Sequence, residues 1–125
     1  MNLAEIQIVS IPVADARVAK RFYQDVLGFE LVREHPMSKD EVWIQLAPSN
    51  NSSTSIALVT WFEKMPPGSI QGLVLSSNNI ESDYQELNQK GVKLSPIQAA
   101  SWGKSTMFED PDGNGWILQE SKNSL

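Results

Sequence analysis

IVSIPVADARVAKRFYQDVLGFELV, residues 8–32, decides the fold. Its opening extends an alternation that begins at Ile6, with Val9, Ile11 and Val13 on one side and Ile6, Ile8 and Ser10 on the other. That two-residue period is a strand's. Asp15 then suits a helix N-cap, because its carboxylate can accept a backbone N–H that the first turn leaves unpaired. Val18, Phe22 and Val26 follow at four-residue spacing along one helical stripe, and Gly28 can end the helix in the left-handed conformation. FELVRE (29–34) reads as the next strand; a polar loop around HPMSKDE leads to VWIQLA (42–47), and SNNSST leads to SIALVT (55–60). The order is β-α-β-β-β.

Beyond the turn-rich EKMPPGS the same order starts again with IQGLVLS from Ile70. Asn78 with Glu81 resembles a capping box, and Ile80, Tyr84 and Leu87 form the apolar stripe of a second helix that Gly91 closes. Three short strands complete the repeat: VKLSPI, KSTMFE and WILQE, the last two joined by DPDGNG. The two helix-ending glycines lie 63 residues apart. The reading is one α+β domain spanning 1–125, with module one at about 5–62 and module two at about 69–120.

Composition narrows the function. Of 125 residues 41% are apolar, enough for a packed core, and the net charge of −5 disfavours a phosphate backbone, which needs clustered Lys and Arg. No nucleic-acid partner is expected. Cysteine is absent, so disulfides, thiolate nucleophiles and zinc knuckles are excluded. MNLAEIQIVSIPVAD has neither the basic start nor the apolar core of a signal peptide, and no long apolar run suggests a membrane span. The expectation is a cytoplasmic protein with no membrane partner.

IVSIPVADARVAKRFYQDVLGFELV resembles the opening strand, helix and LGF turn of the vicinal oxygen chelate superfamily, which contains glyoxalases, bleomycin resistance proteins and extradiol dioxygenases. FEDPDGNGWILQE (108–120) is similar to that family's last hairpin. The resemblance implies two βαβββ modules in an incompletely closed, mixed-sheet barrel around a ligand pocket, commonly in a homodimer. Members that do chemistry hold a divalent metal with His and Glu side chains at four matching positions. Here those positions carry Ile8, Ala57, Gly72 and Ile117, none of which can coordinate through its side chain. The expectation is no metal and no other cofactor.

Other constellations are weak. His35, the single histidine, sits in the polar stretch REHPMSKDE and reads as a solvated surface residue rather than a general base. DPDGNG has the start of a calcium loop, but Ser121 stands where a bidentate Glu is required, so a hairpin turn is the better reading. No catalytic residue can be named.

Strand parity proposes a pocket. If Val9, Ile11, Val42, Ile44, Leu46, Leu73, Leu75, Phe108 and Leu118 face the helices, the opposite parity faces the cavity. That assigns Ile8, Ser10, Trp43, Gln45, Ala57, Gly72, Ser105, Met107, Ile117 and Gln119 to ligand binding, joined by Val59 and Val74. This lining is apolar, with a few hydroxyl and amide groups and no ionisable side chain, as suits a small-molecule site. Trp43 reads as a stacking surface, whereas Trp61, Trp102 and Trp116 are as readily core or rim packing. Two function classes stay open. One is a metal-independent protein that binds or sequesters a small, partly aromatic or cationic molecule, resembling the bleomycin-resistance branch. The other is a glyoxalase- or dioxygenase-type enzyme with a relocated metal or a metal-free mechanism. The sequence favours the first, because acid-base or Lewis-acid chemistry needs an ionisable group or a metal at the cavity.

Overall fold

The structure is a computed structural model that describes residues 1–122. Module one contains β1 (Ile8–Pro12), α1 (Ala16–Arg21), β2 (Glu30–Pro36), β3 (Val42–Ala47) and β4 (Ser55–Val59). Module two contains β5 (Leu73–Ser76), α2 (Ile80–Gln89), β6 (Gln98–Ala100), β7 (Gly103–Glu109) and β8 (Gly115–Ser121). Each module makes a four-stranded mixed sheet, ordered β1-β4-β3-β2 and β5-β8-β7-β6. The first and last strands of a module pair in parallel and the other neighbours antiparallel, so the duplicated β-α-β-β-β order is a duplicated topology. Among the described residues no strand pairing joins the sheets, which leaves the barrel open.

The first helix departs from its expected stripe. Asp15 caps it, accepting from the Arg17 and Val18 amides, but from Phe22 to Val26 it widens into a π-turn in which the Leu27 amide reaches back to the Phe22 carbonyl. The buried residues are Ala16, Ala19 and Tyr23, whereas Val18 is half exposed and Phe22 and Val26 are only partly covered. Two alanines let α1 lie close on β3 and β4. Tyr23 is drawn inward by a polar partner, which an apolar period cannot reveal.

The second helix is capped by Asn79, whose side chain accepts from the Ser82 amide; the Asn78–Glu81 box does not form. Ile80 is fully buried and donates its amide to the Glu120 carboxylate, which fixes the start of α2 one residue later, while Glu81 turns outward to Lys104. VKLSPI is not a strand. Ser95 makes a local exchange with Met107, then Pro96, lacking an N–H, interrupts the ladder, and pairing resumes only at Gln98. IQGLVLS likewise pairs only from Leu73. Gly28 and Gly91 adopt positive φ, +75° and +88°, at the helix ends as expected.

The expected core holds. Ile11, Val42, Ile44, Leu46, Phe108 and Leu118 are buried in one cluster spanning both modules, with Val9, Leu73 and Leu75 packed against it. At its centre the two modules are joined by a polar network. The Tyr23 hydroxyl donates to Asp110 Oδ2 at 2.7 Å and accepts from Trp116 Nε1 at 3.1 Å. Asp110 also accepts from the Asp112 and Asn114 amides and from Asn114 Nδ2, which donates in addition to the Pro12 carbonyl. DPDGNG is therefore a hairpin turn whose first carboxylate is saturated by protein donors.

Burial, and then the adjacent Asp110 carboxylate, push the Tyr23 phenol far above its usual range. A phenol in the unfolded chain ionises near pH 10, so this stabilisation is complete below about pH 10 and is lost as pH rises beyond it. Tyr23→Phe is expected to lower the unfolding free energy by about 1–3 kcal/mol at neutral pH, because Asp110 and Trp116 each lose a buried partner. Urea unfolding followed across pH checks this: the wild type should lose its advantage over the variant above about pH 10.

Candidate functional site

The pleat decides which side chains can meet a ligand. Helices α1 and α2 cover one face of their sheets, and residues of the opposite parity lie on the open face. In the first sheet Ser10, Ala57 and Gln45 form one cross-strand row, with Ile8 beside Ser55 one row over. In the second sheet Val74, Ile117 and Met107 form a row, and Ser76, Gln119 and Ser105 the next. The ten proposed ligand residues thus share the open faces but divide between two sheets: Ile8, Ser10, Trp43, Gln45 and Ala57 on the first, Gly72, Ser105, Met107, Ile117 and Gln119 on or beside the second.

Their surroundings differ. Ala57 and Gln45 are buried, whereas Met107 and Val74 are more than half exposed. A cavity of about 830 Å³ takes in Gly72, Met107 and Ile117 and none of the other seven. It runs from the π-turn at Phe22 and Val26 to the start of β8 at Trp116, with Lys90 at its edge. Its size suits a drug-sized ligand.

Trp43 anchors the first sheet's open face. Its neighbours Val42 and Ile44 are in the core, and its ring lies nearly parallel to those of His35 (centroids 6.4 Å, 21°) and Trp61 (6.3 Å, 28°). Phe62 continues the row against Trp61 at 6.0 Å. Trp61 is therefore part of the stack, while Trp116 packs in the core against Phe108 and Tyr23. Gln45 does not offer a free amide: its Oε1 accepts from Trp43 Nε1 at 3.1 Å and its Nε2 donates to Ser55 Oγ at 2.8 Å. It holds the indole in place instead.

Two residues correct the expectation of an uncharged lining. Strand β2 continues through Pro36, so His35 is a strand residue opposite Trp43, not part of a loop, and Arg33 stands opposite Gln45. Both side chains belong to the open face. The register shifts between Leu31 and Arg33, and such a bulge reverses the parity beyond it. The adjacent apolar pair Leu31 and Val32, which no strict alternation accommodates, was the signal.

The four positions where catalytic relatives hold a metal do not fit one. Ile8 and Ala57 lie on adjacent parallel strands, and Ile117 is in β8 with Gly72 just before β5, but all four offer only hydrocarbon or hydrogen. Among the described residues no three His, Asp or Glu side chains gather closely enough to bind an ion elsewhere.

With two βαβββ sheets and this open face in view, the class is defined: the chain belongs to the glyoxalase/bleomycin resistance protein/dioxygenase superfamily, whose sequence profile matches residues 5–118. It is similar to TnmS3, an antibiotic binding protein from Streptomyces sp. CB03234, with 38% identity, a TM-score of 0.91, and coverage of 98% of this chain and 99% of that one. A glyoxalase/bleomycin resistance protein from the same strain is also 38% identical, with a TM-score of 0.83 and coverage of 92% and 99%. The Bacillus subtilis (strain 168) protein YetH is 30% identical over 122 residues, 94% of this chain and 99% of its own.

Stacked indoles couple their electronic transitions, which gives a test of the aromatic row. Trp43→Ala and Trp61→Ala should each abolish the same exciton feature in the circular dichroism spectrum, and the double variant should lose nothing more. Two different difference spectra would show that these rings do not form a pair in solution.

Proposed function

We propose that this protein binds a small, planar, aromatic molecule without a metal and sequesters it rather than transforming it. The observation that carries the reading is chemical. Where catalytic relatives place metal ligands, the chain has Ile8, Ala57, Gly72 and Ile117, and on the same open faces it presents the row His35, Trp43, Trp61 and Phe62. A metal site draws its affinity from His nitrogen or carboxylate oxygen at short fixed distances, and these positions supply neither. An aromatic row instead binds by area, stacking and cation–π contacts, the means of a binder, and its one ionisable ring, His35, lies stacked on Trp43. The antibiotic-binding function of TnmS3, a relative with near-complete coverage, supports the same reading.

Two further elements belong to the proposal. The protein works in the cytoplasm, consistent with its lack of cysteine; among the described residues no helix is long and apolar enough to cross a membrane. It works as a symmetric homodimer, because the exposed row of Val74 and Met107 leaves apolar surface that a two-fold partner would cover.

Three measurements test this reading. After dialysis against chelator, elemental analysis should find no stoichiometric zinc, manganese, nickel or iron, and added metal should leave the melting temperature unchanged, since only a ligand of the native state stabilises it. One tightly held ion per chain would overturn the metal-free reading. Native mass spectrometry of the freshly purified protein should reveal a retained aromatic compound, and Trp43→Ala should weaken its binding by more than about 1 kcal/mol. Light scattering should give twice the 13.9 kDa chain mass; a monomer at micromolar concentration contradicts the dimer.

A further inference from the structure

We propose that the aromatic row on the first sheet selects ligands whose planar ring carries an anionic group, a sulfonate, carboxylate or phenolate, with Arg33 as the residue that reads the charge. This rests on the reading of that face as a ligand site and goes beyond it by naming the ligand's charge. The whole chain argues for the opposite sign: with a net charge of −5 and a row of aromatic faces, a cationic guest would be the default. Local geometry reverses that default.

Strand β2 carries charges on both faces. Glu34 lies on the helix side, where Lys20 Nζ holds it at 2.6 Å. Arg33 and His35, opposite Gln45 and Trp43, lie on the open side. Glu30, opposite Ala47, shares the open side one row beyond Arg33, so the ionisable groups of β2 nearest the stack are the basic pair Arg33 and His35. Arg33 is exposed and, among the described residues, engages no carboxylate. Its cross-strand neighbour Gln45 already accepts from Trp43 and donates to Ser55, and no hydrogen bond joins it to Arg33 among the described residues. Same-face neighbours on a strand are about 7 Å apart, so the long Arg33 side chain reaches the edge of a ring stacked at His35 and Trp43. A guanidinium offers two parallel N–H donors, which match the paired oxygens of a carboxylate or sulfonate.

The test uses three naphthalene probes of equal ring size: a naphthol, a naphthalenesulfonate and a naphthyltrimethylammonium. Isothermal titration of the full chain, at low and high salt, gives each affinity for the wild type, Arg33→Gln and Trp43→Ala. The sulfonate should bind about tenfold more tightly than the naphthol at low salt, the advantage of a charge-assisted hydrogen bond. High salt should erase that advantage, and Arg33→Gln should remove it while leaving naphthol affinity unchanged. Trp43→Ala should weaken all three probes. Equal affinity for sulfonate and naphthol, or preference for the ammonium, overturns the charge assignment while the aromatic site stands. If no probe binds, or if Trp43→Ala changes nothing, the site reading itself falls and the inference falls with it.

Discussion

The carboxylate of Asp110 is the point on which the rest of the structure turns. It is almost wholly buried and accepts four hydrogen bonds, from the Tyr23 hydroxyl, the Asn114 side chain and two backbone amides of its own turn. Burying a carboxylate is costly unless such donors replace its water, and breaking a satisfied buried ionic network typically costs about 3–5 kcal/mol. Two bonds of this network, from the Tyr23 hydroxyl to Asp110 and from the Asn114 side chain to the Pro12 carbonyl, cross between the modules and fix where the second sheet lies against the first. Trp116 and Phe29 pack around the same tyrosine, so the apolar core and the polar pin are one unit. The Ala14 amide, bonded to Asp112, extends the clasp to the start of α1.

With the core faces joined in this way, the opposite faces of both sheets stay open. Strand parity then does the sorting: Ile11, Val42, Ile44, Leu46 and Leu118 go to the core, and a mixture of tryptophan, aliphatic, small and amide side chains goes to the other face. Gln45 shows how little of that outward polarity is available to a ligand. Its hydrogen bonds to Trp43 and Ser55 convert a polar group into a brace for an aromatic one. The open face presents the stack of rings with Arg33 and His35 of β2 beside it, and among the described residues no three His, Asp or Glu side chains gather there.

Much of this was legible in the sequence because it depends on period and spacing. The repeat of 63 residues between Gly28 and Gly91 predicts two modules, and the two-residue alternation in VWIQLA places Trp43 opposite Val42 and Ile44. What was hidden depends on interactions that local pattern does not encode. Tyr23 is buried with its hydroxyl donating a hydrogen bond to a residue 87 positions away, and the stripe Val18–Phe22–Val26 gives way to the π-turn that this contact accompanies. Arg33 and His35 reach the open face because a bulge reverses parity, and a bulge is visible only as the adjacent pair Leu31 and Val32. The failed strand VKLSPI was marked by Pro96, whose missing N–H is a local signal that outweighs the apolar residues around it.

The central claim is that this fold binds an aromatic ligand on the first sheet's open face without a metal. The indole N–H resonances of the four tryptophans test it most directly, followed by nuclear magnetic resonance while a naphthol is added in the presence of chelator. Trp116 is an internal control, since its indole is fixed to the Tyr23 hydroxyl in the core. The account predicts that the Trp43 and Trp61 signals shift together and saturate while Trp116 stays still. Shifts that appear only after a divalent metal is added, or that bypass Trp43 and Trp61, would contradict it.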